Sequence, residues 1–134
     1  RVVKPLETTA DLKSCIQFLA PRGQEHKFLA QVYQALRIEV NQELDALKDM
    51  LTDLAKAVKP GGKVVILTYH SLEDRLVKQV FRHGKLEGEA SKDVYGNVDT
   101  PWRVITRKAI EPSEQEIAVN NRARSAKMRV VEKM

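Results

Sequence analysis

The chain has 134 residues, 43% hydrophobic and 31% charged, with a formal net charge of +5, enough for one domain with a moderate core and ordinary for a soluble globular protein. No apolar run approaches the length of a membrane span or of a secretory signal, and the single Cys15 excludes an internal disulfide and a cysteine metal cluster. The charge is uneven: residues 103–134 hold eight Lys/Arg against four Asp/Glu, so a basic end on a balanced body points to an anionic partner, nucleic acid ahead of membrane. The plainer reading of that end is a solvated face. Cysteine usage suits a reducing, cytoplasmic setting.

Residues 1–7 read as a cut end, because the chain opens on Arg1 and runs straight into patterned sequence. Thr8 with Asp11 predicts a capping box. Leu12, Cys15, Ile16 and Leu19 then make the apolar face of a first helix that Pro21 to Gly23 ends, with Cys15 an inert core thiol. A second helix is expected over 25–40, with Phe28, Val32, Tyr33, Leu36 and Val40 inward. Asn41 reads as the N-cap of a third, whose stripe is Leu44, Leu47, Leu51, Leu54 and Val58. Pro60, Gly61 and Gly62 stop it. The glycine pair is no phosphate loop, since it follows a helix and opens a strand, the reverse of the order such a loop needs.

The stretch 63–81, KVVILTYHSLEDRLVKQVF, organises the rest. Val64 to Leu67 is a β-branched apolar run of the kind buried on both faces of a sheet. From Leu72 the period changes, with Leu72, Leu76, Val77, Val80 and Phe81 on one helical stripe and Asp74, Arg75, Lys78 and Arg82 left for water. Ser71 with Asp74 has the spacing of a capping box at the changeover. Tyr69, His70 and Ser71 therefore lie at a strand's carboxyl end, where open α/β sheets bind ligands. His70 carries an imidazole, a side chain able to accept a proton or to pair with a base edge; the bland alternative is that His70 and Ser71 only build the turn. His26 and His83 sit in polar neighbourhoods without a partner at metal spacing and read as surface residues.

Residues 83–100 are polar and aperiodic, a long loop that reads as mobile or as a flap beside substrate. Strand alternation returns over 102–109, a short helix is signalled by Pro112, Ser113 and Glu116 and ended by Asn120 and Asn121, and 125–131 alternates again. No repeat or low-complexity tract is present.

Three blocks, QALRIEVNQEL at 34–44, GGKVVILTYHSLEDRLVK at 61–78 and NRARSAKMRV at 121–130, resemble those of the bacterial MraW/RsmH methyltransferases in order and spacing. With the segments between them they cover nearly the whole chain. Tyr69 stands where that family more often has phenylalanine. The resemblance implies an enzyme that uses S-adenosylmethionine to methylate the exocyclic amine (N4) of a cytosine in 16S rRNA, on the small ribosomal subunit. The implied fold is α/β: residues 41–134 as the rear, C-terminal part of a class I (Rossmann-like) methyltransferase sheet, and residues 1–40 as the later part of a helical insertion domain. The strands near 63, 102 and 125 would be the last three of that sheet, the final one antiparallel between its predecessors.

On the same template the glycine-rich loop and the acidic residue that hold the cofactor belong to a front half that is not in this sequence. No cofactor-binding residue is assigned here, and the chain alone is expected to be inactive. Tyr69, His70 and Ser71 are the candidates for the substrate pocket. Arg122, Arg124 and Lys127 are the candidate phosphate contacts, with Arg37 and Asn41 as further RNA-binding candidates. Baring one edge of the strand at 63–69 predicts that the chain pairs through it as a homodimer, swaps segments, or covers it with its helices. Two other readings remain open at this level: a non-catalytic RNA-binding module and an oligomerising α/β module.

Overall fold

In the computed structural model, which describes residues 5–88, 94–95 and 98–134, helices begin where a short polar side chain precedes an apolar stripe. Thr8 caps α1 (Thr9–Ile16): its Oγ1 accepts from the Asp11 N–H at 3.1 Å and the Asp11 carboxylate accepts from the Thr8 N–H at 3.0 Å. A 3-10 turn at Gln17–Leu19 follows, then α2 (Glu25–Asn41). The chain divides into two compact units, Arg1–Glu43 and Leu44–Met134.

In the first unit Leu29 is buried, and the Tyr33 hydroxyl donates to the Thr9 carbonyl at 3.0 Å, tying α2 to α1. Phe28, Val32 and Tyr33 are half-buried, but Leu36 and Val40 are exposed, contrary to the expected stripe. An eight-residue helix covers only part of a seventeen-residue one. Cys15 is half-buried rather than a core thiol. Asn41 is not an N-cap. It is the last residue of α2, because Gln42 adopts the left-handed conformation at φ 51° and ends the helix.

The second unit begins with α3 (Glu43–Ala57 as an element), which buries Leu51 to 1% exposure and half-buries Leu44, Leu47, Leu54 and Val58, as its period predicts. Pro60 to Gly62 form a turn pinned to the far end of the sheet, where Gly61 N–H donates to Lys133 O and Lys133 N–H to Gly62 O, both at 2.8 Å. The strands are β1 (Lys63–Thr68), β2 (Trp102–Val104) and β3 (Lys127–Lys133), with β3 antiparallel between the other two. α4 (Ser71–His83) lies against this sheet, and Val77, Val80 and Phe81 pack with Leu51, Val64, Trp102 and Val131 as the core. The Phe81 and Trp102 rings are 5.9 Å apart, and Lys133 Nζ stands 5.5 Å from the centre of the Trp102 ring. A short α5 (Glu114–Val119), capped by Ser113 Oγ accepting from Glu116 N–H at 3.2 Å, leads into a 3-10 turn at Asn121–Ser125.

Further expectations change in this unit, and Leu72, expected on the α4 stripe, is 40% exposed. β1 is not buried on both faces: Val64 and Thr68 are covered, while Val65 and Leu67 are 58% and 51% exposed. Only one face of β1 meets α3 and α4, so the apolar run alternates in burial. The strand expected over 102–109 ends at Val104, because the N–H groups of Ile105 and Thr106 both donate to Val130 O, at 3.0 and 3.2 Å, as in a β-bulge. His83 is half-buried rather than a surface residue, and its Nδ1 is shielded without a hydrogen-bond partner among the described residues. The loop expected over 83–100 lies partly outside the described residues.

Candidate functional site

The β1-to-α4 turn is fixed by one carboxylate. Glu73 Oε2 accepts the backbone N–H groups of both Tyr69 and His70 at 3.1 Å, and His70 occupies the N-cap position at φ −121°, ψ 144°. The capping box is thus His70 with Glu73, one residue earlier than Ser71 with Asp74. Ser71 is the exposed first residue of α4, His70 is half-buried, and the Tyr69 ring is exposed.

Asp74, released from capping, does other work. It is buried, and its carboxylate takes two hydrogen bonds from Arg129 of β3, Nε to Oδ1 at 2.7 Å and Nη2 to Oδ2 at 3.0 Å. That hydrogen bonding holds the Asp74 carboxyl below its usual range; burial opposes it, and the charges of Arg129, Lys127 and Lys78 add to the lowering. The pair locks the first turns of α4 to the middle strand and so fixes where Tyr69, His70 and Ser71 stand.

Register brings part of the expected RNA set to the same end. Thr68, the last residue of β1, is paired with Lys127, the first of β3, and the Thr68 hydroxyl donates to Lys127 O at 3.3 Å. Lys127 is half-buried, 4.0 Å from Glu111. Arg122 and Arg124 are exposed in the 3-10 turn that feeds β3, where the Arg122 N–H is held by Asn120 Oδ1 at 3.2 Å. Arg37 and Asn41 belong to the first unit, and Glu43 engages both: Arg37 Nε at 3.0 Å and Asn41 Nδ2 at 3.1 Å.

The cations that sequence reading did not single out are Lys78, Arg82, Arg107, Lys108 and Arg129. With Lys127, Ala109 and Glu111 they line one cleft of about 370 Å³. Lys78 and Arg82 at i, i+4 on the polar face of α4 were a visible signal. Among the described residues no group of three or more His, Cys, Asp or Glu is placed to hold a metal, and no helix is long and apolar enough to cross a membrane. The β1-to-α4 turn carries three large or polar side chains and no glycine, and Gly61 and Gly62 precede a strand.

An antiparallel three-stranded sheet covered by helices on one face, with a capped turn bearing Tyr, His and Ser at a strand's carboxyl end, defines a mixed α/β protein with its polar site at the sheet's edge. The chain belongs to the MraW methylase family, which it matches over residues 1–134. It is 50% identical over 133 residues to the ribosomal RNA small subunit methyltransferase H of Bacteroides fragilis strain YCH46, covering 99% of this chain and 44% of that protein. The enzyme of the same name from Cytophaga hutchinsonii is also 50% identical, with the same coverage, and that of Amoebophilus asiaticus is 52% identical over 99% of this chain and 43% of its own. The chain thus spans less than half the length of these curated relatives.

Proposed function

We propose that the whole protein transfers a methyl group from S-adenosylmethionine to the exocyclic N4 amine of a cytidine in 16S rRNA, with these residues shaping the nucleotide's side of the pocket. The observation that carries this reading is the family match across residues 1–134 together with relatives named as ribosomal RNA small subunit methyltransferases. The sheet is read as the rear of a class I, Rossmann-like methyltransferase sheet, and residues 1–40 as the later part of its helical insertion. An rRNA substrate places the reaction in the cytoplasm.

An amine conjugated to a pyrimidine ring is a weak nucleophile. It must be held in line with the donor methyl and lose a proton as the new bond forms. His70, half-buried at the cap position, is the candidate in this turn to take that proton or to hydrogen-bond the base edge. The exposed Tyr69 ring offers a stacking face for an unstacked base, and Ser71 a hydroxyl beside it. Arg122, Arg124 and Lys127 supply phosphate contacts at the same end of the sheet, with Arg37 and Asn41 as contacts from the first unit. The outer edge of β1 is unpaired among the described residues, and pairing of two copies through it belongs to the same proposal.

The test is methyl transfer by the longer protein from donor labelled in its methyl group to isolated small subunits, followed by mass mapping of the modified nucleotide. Label at a cytidine N4 of 16S rRNA is the expected result. Label elsewhere, or none with intact subunits, overturns it. Sedimentation of the chain across a concentration series checks the dimer.

A further inference from the structure

We propose that the cleft between α4 and residues 107–111, floored by β3, grips the sugar-phosphate backbone of RNA. The inference rests on the ribosomal RNA reading for the kind of polyanion, and on the cleft's own charge and shape for the place. Six cationic side chains line it, Lys78, Arg82, Arg107, Lys108, Lys127 and Arg129, against Glu111. Two of the six are occupied: Arg129 by Asp74, and Lys127 by Glu111 at 4.0 Å. The other four are exposed, and among the described residues none has an acidic partner within ion-pair distance. Unpaired cations facing one another across a concave wall repel, and an anion in the cleft relieves that repulsion.

Position adds a second argument. Ile105 and Thr106 bond Val130, and Ile110 pairs with Met128, so the intervening residues Arg107 and Lys108 are looped out beside β3 while both ends are fastened to it. The Asp74–Arg129 pair fixes α4 on the opposite wall. The walls are therefore held by backbone and ion-pair contacts, and the cations are presented on a formed surface. Of the phosphate contacts expected from sequence, Lys127 lines this cleft while Arg122 and Arg124 do not, so the cleft adjoins the surface expected at the 3-10 turn and extends it along α4 and residues 107–108. Contacts of this type carry affinity and register and leave base choice to the Tyr69–Ser71 end.

The experiment is fluorescence anisotropy of a labelled single-stranded RNA with the 134-residue chain, over a range of salt concentrations. Lys78→Gln, Arg82→Gln, Arg107→Gln and Lys108→Gln are combined in one variant. The charge-matched control replaces Lys13, Arg22, Lys27 and Lys59 with Gln. Loss of about tenfold or more in affinity and a salt slope shallower by about 3, with the control near native, is the expected result. A variant that keeps the charges, Lys78→Arg with Lys108→Arg, should bind as the native chain does, which separates lost charge from lost structure. If the quadruple variant binds like the native chain while Arg122→Ala with Arg124→Ala weakens binding, the cleft is not the contact surface, yet the ribosomal RNA reading stands. If the control loses as much as the quadruple variant, or the native chain shows no RNA binding at low salt, the cleft proposal fails, and methyl transfer by the longer protein still judges the function separately.

Discussion

Asp74 and Arg129, 55 residues apart in sequence, meet in a two-point ion pair that joins the start of α4 to the middle strand of the sheet. Removing one partner leaves a charge with little water around it. Asp74→Asn should therefore cost about 3 kcal/mol in urea unfolding at neutral pH. Exchanging both for apolar residues, Asp74→Leu with Arg129→Met, should recover most of that loss. The pH dependence has a definite sign. Because the folded-state pKa of Asp74 lies below its ordinary value, chiefly through the Arg129 hydrogen bond, the pair's contribution is complete above about pH 4 and is lost as pH falls through the lowered value. Asp74→Asn should remove that part of the acid-side slope, and an unchanged slope would assign acid sensitivity to other carboxylates.

Gly84 ends α4 at φ +74°, and a Cβ there would meet Asp99 O and the Thr100 Cα at 3.0 Å. Gly23 has the same φ with nothing within 4 Å. Conformational strain alone costs about 1 kcal/mol when a left-handed glycine becomes alanine. Gly23→Ala should show roughly that, and Gly84→Ala clearly more, since both close atoms at 84 are backbone. Equal midpoint shifts in urea for the two variants would mean that the approach to residues 99–100 is easily relaxed.

What the sequence made legible was local. The Thr8 and Ser113 caps, the α3 stripe and the turn at Gly61–Gly62 each depend on residues within a few positions of one another, and each appears as expected. The misreadings needed distant partners. Asp74 looks like a solvent-facing carboxylate until Arg129 is brought beside it, and once it is engaged there, the capping acid becomes Glu73 and the cap moves back to His70. The strand after Trp102 was cut short by two N–H groups sharing one carbonyl of β3. The basic cleft draws pairs of cations from three segments, so no single window of sequence is dense enough to reveal it.

The isolated chain should bind S-adenosylmethionine negligibly. The β1-to-α4 turn bears Tyr69, His70 and Ser71 where a glycine would admit a ligand against the backbone. Isothermal titration calorimetry checks this directly. Micromolar binding would show that this chain carries donor contacts of its own.

His70 holds two roles that one substitution can separate. As N-cap it begins α4, and as an imidazole at the end of β1 it is the group proposed to take the amine proton. Asparagine is among the best N-cap residues, so His70→Asn should leave thermal unfolding of the chain within about 0.5 kcal/mol of native while removing the ring. In the longer protein the same change should lower the rate of methyl transfer by about a hundredfold or more if the ring accepts the proton, with KM for RNA little changed. A base-edge partner would instead raise KM with a smaller effect on kcat. Glu73→Gln is the complementary variant: it weakens the acceptor shared by the Tyr69 and His70 N–H groups and should cost about 1 kcal/mol of stability while lowering rate only through the looser turn. Full activity in His70→Asn with native stability would reduce His70 to a capping residue and move the search for the proton acceptor to residues outside this turn.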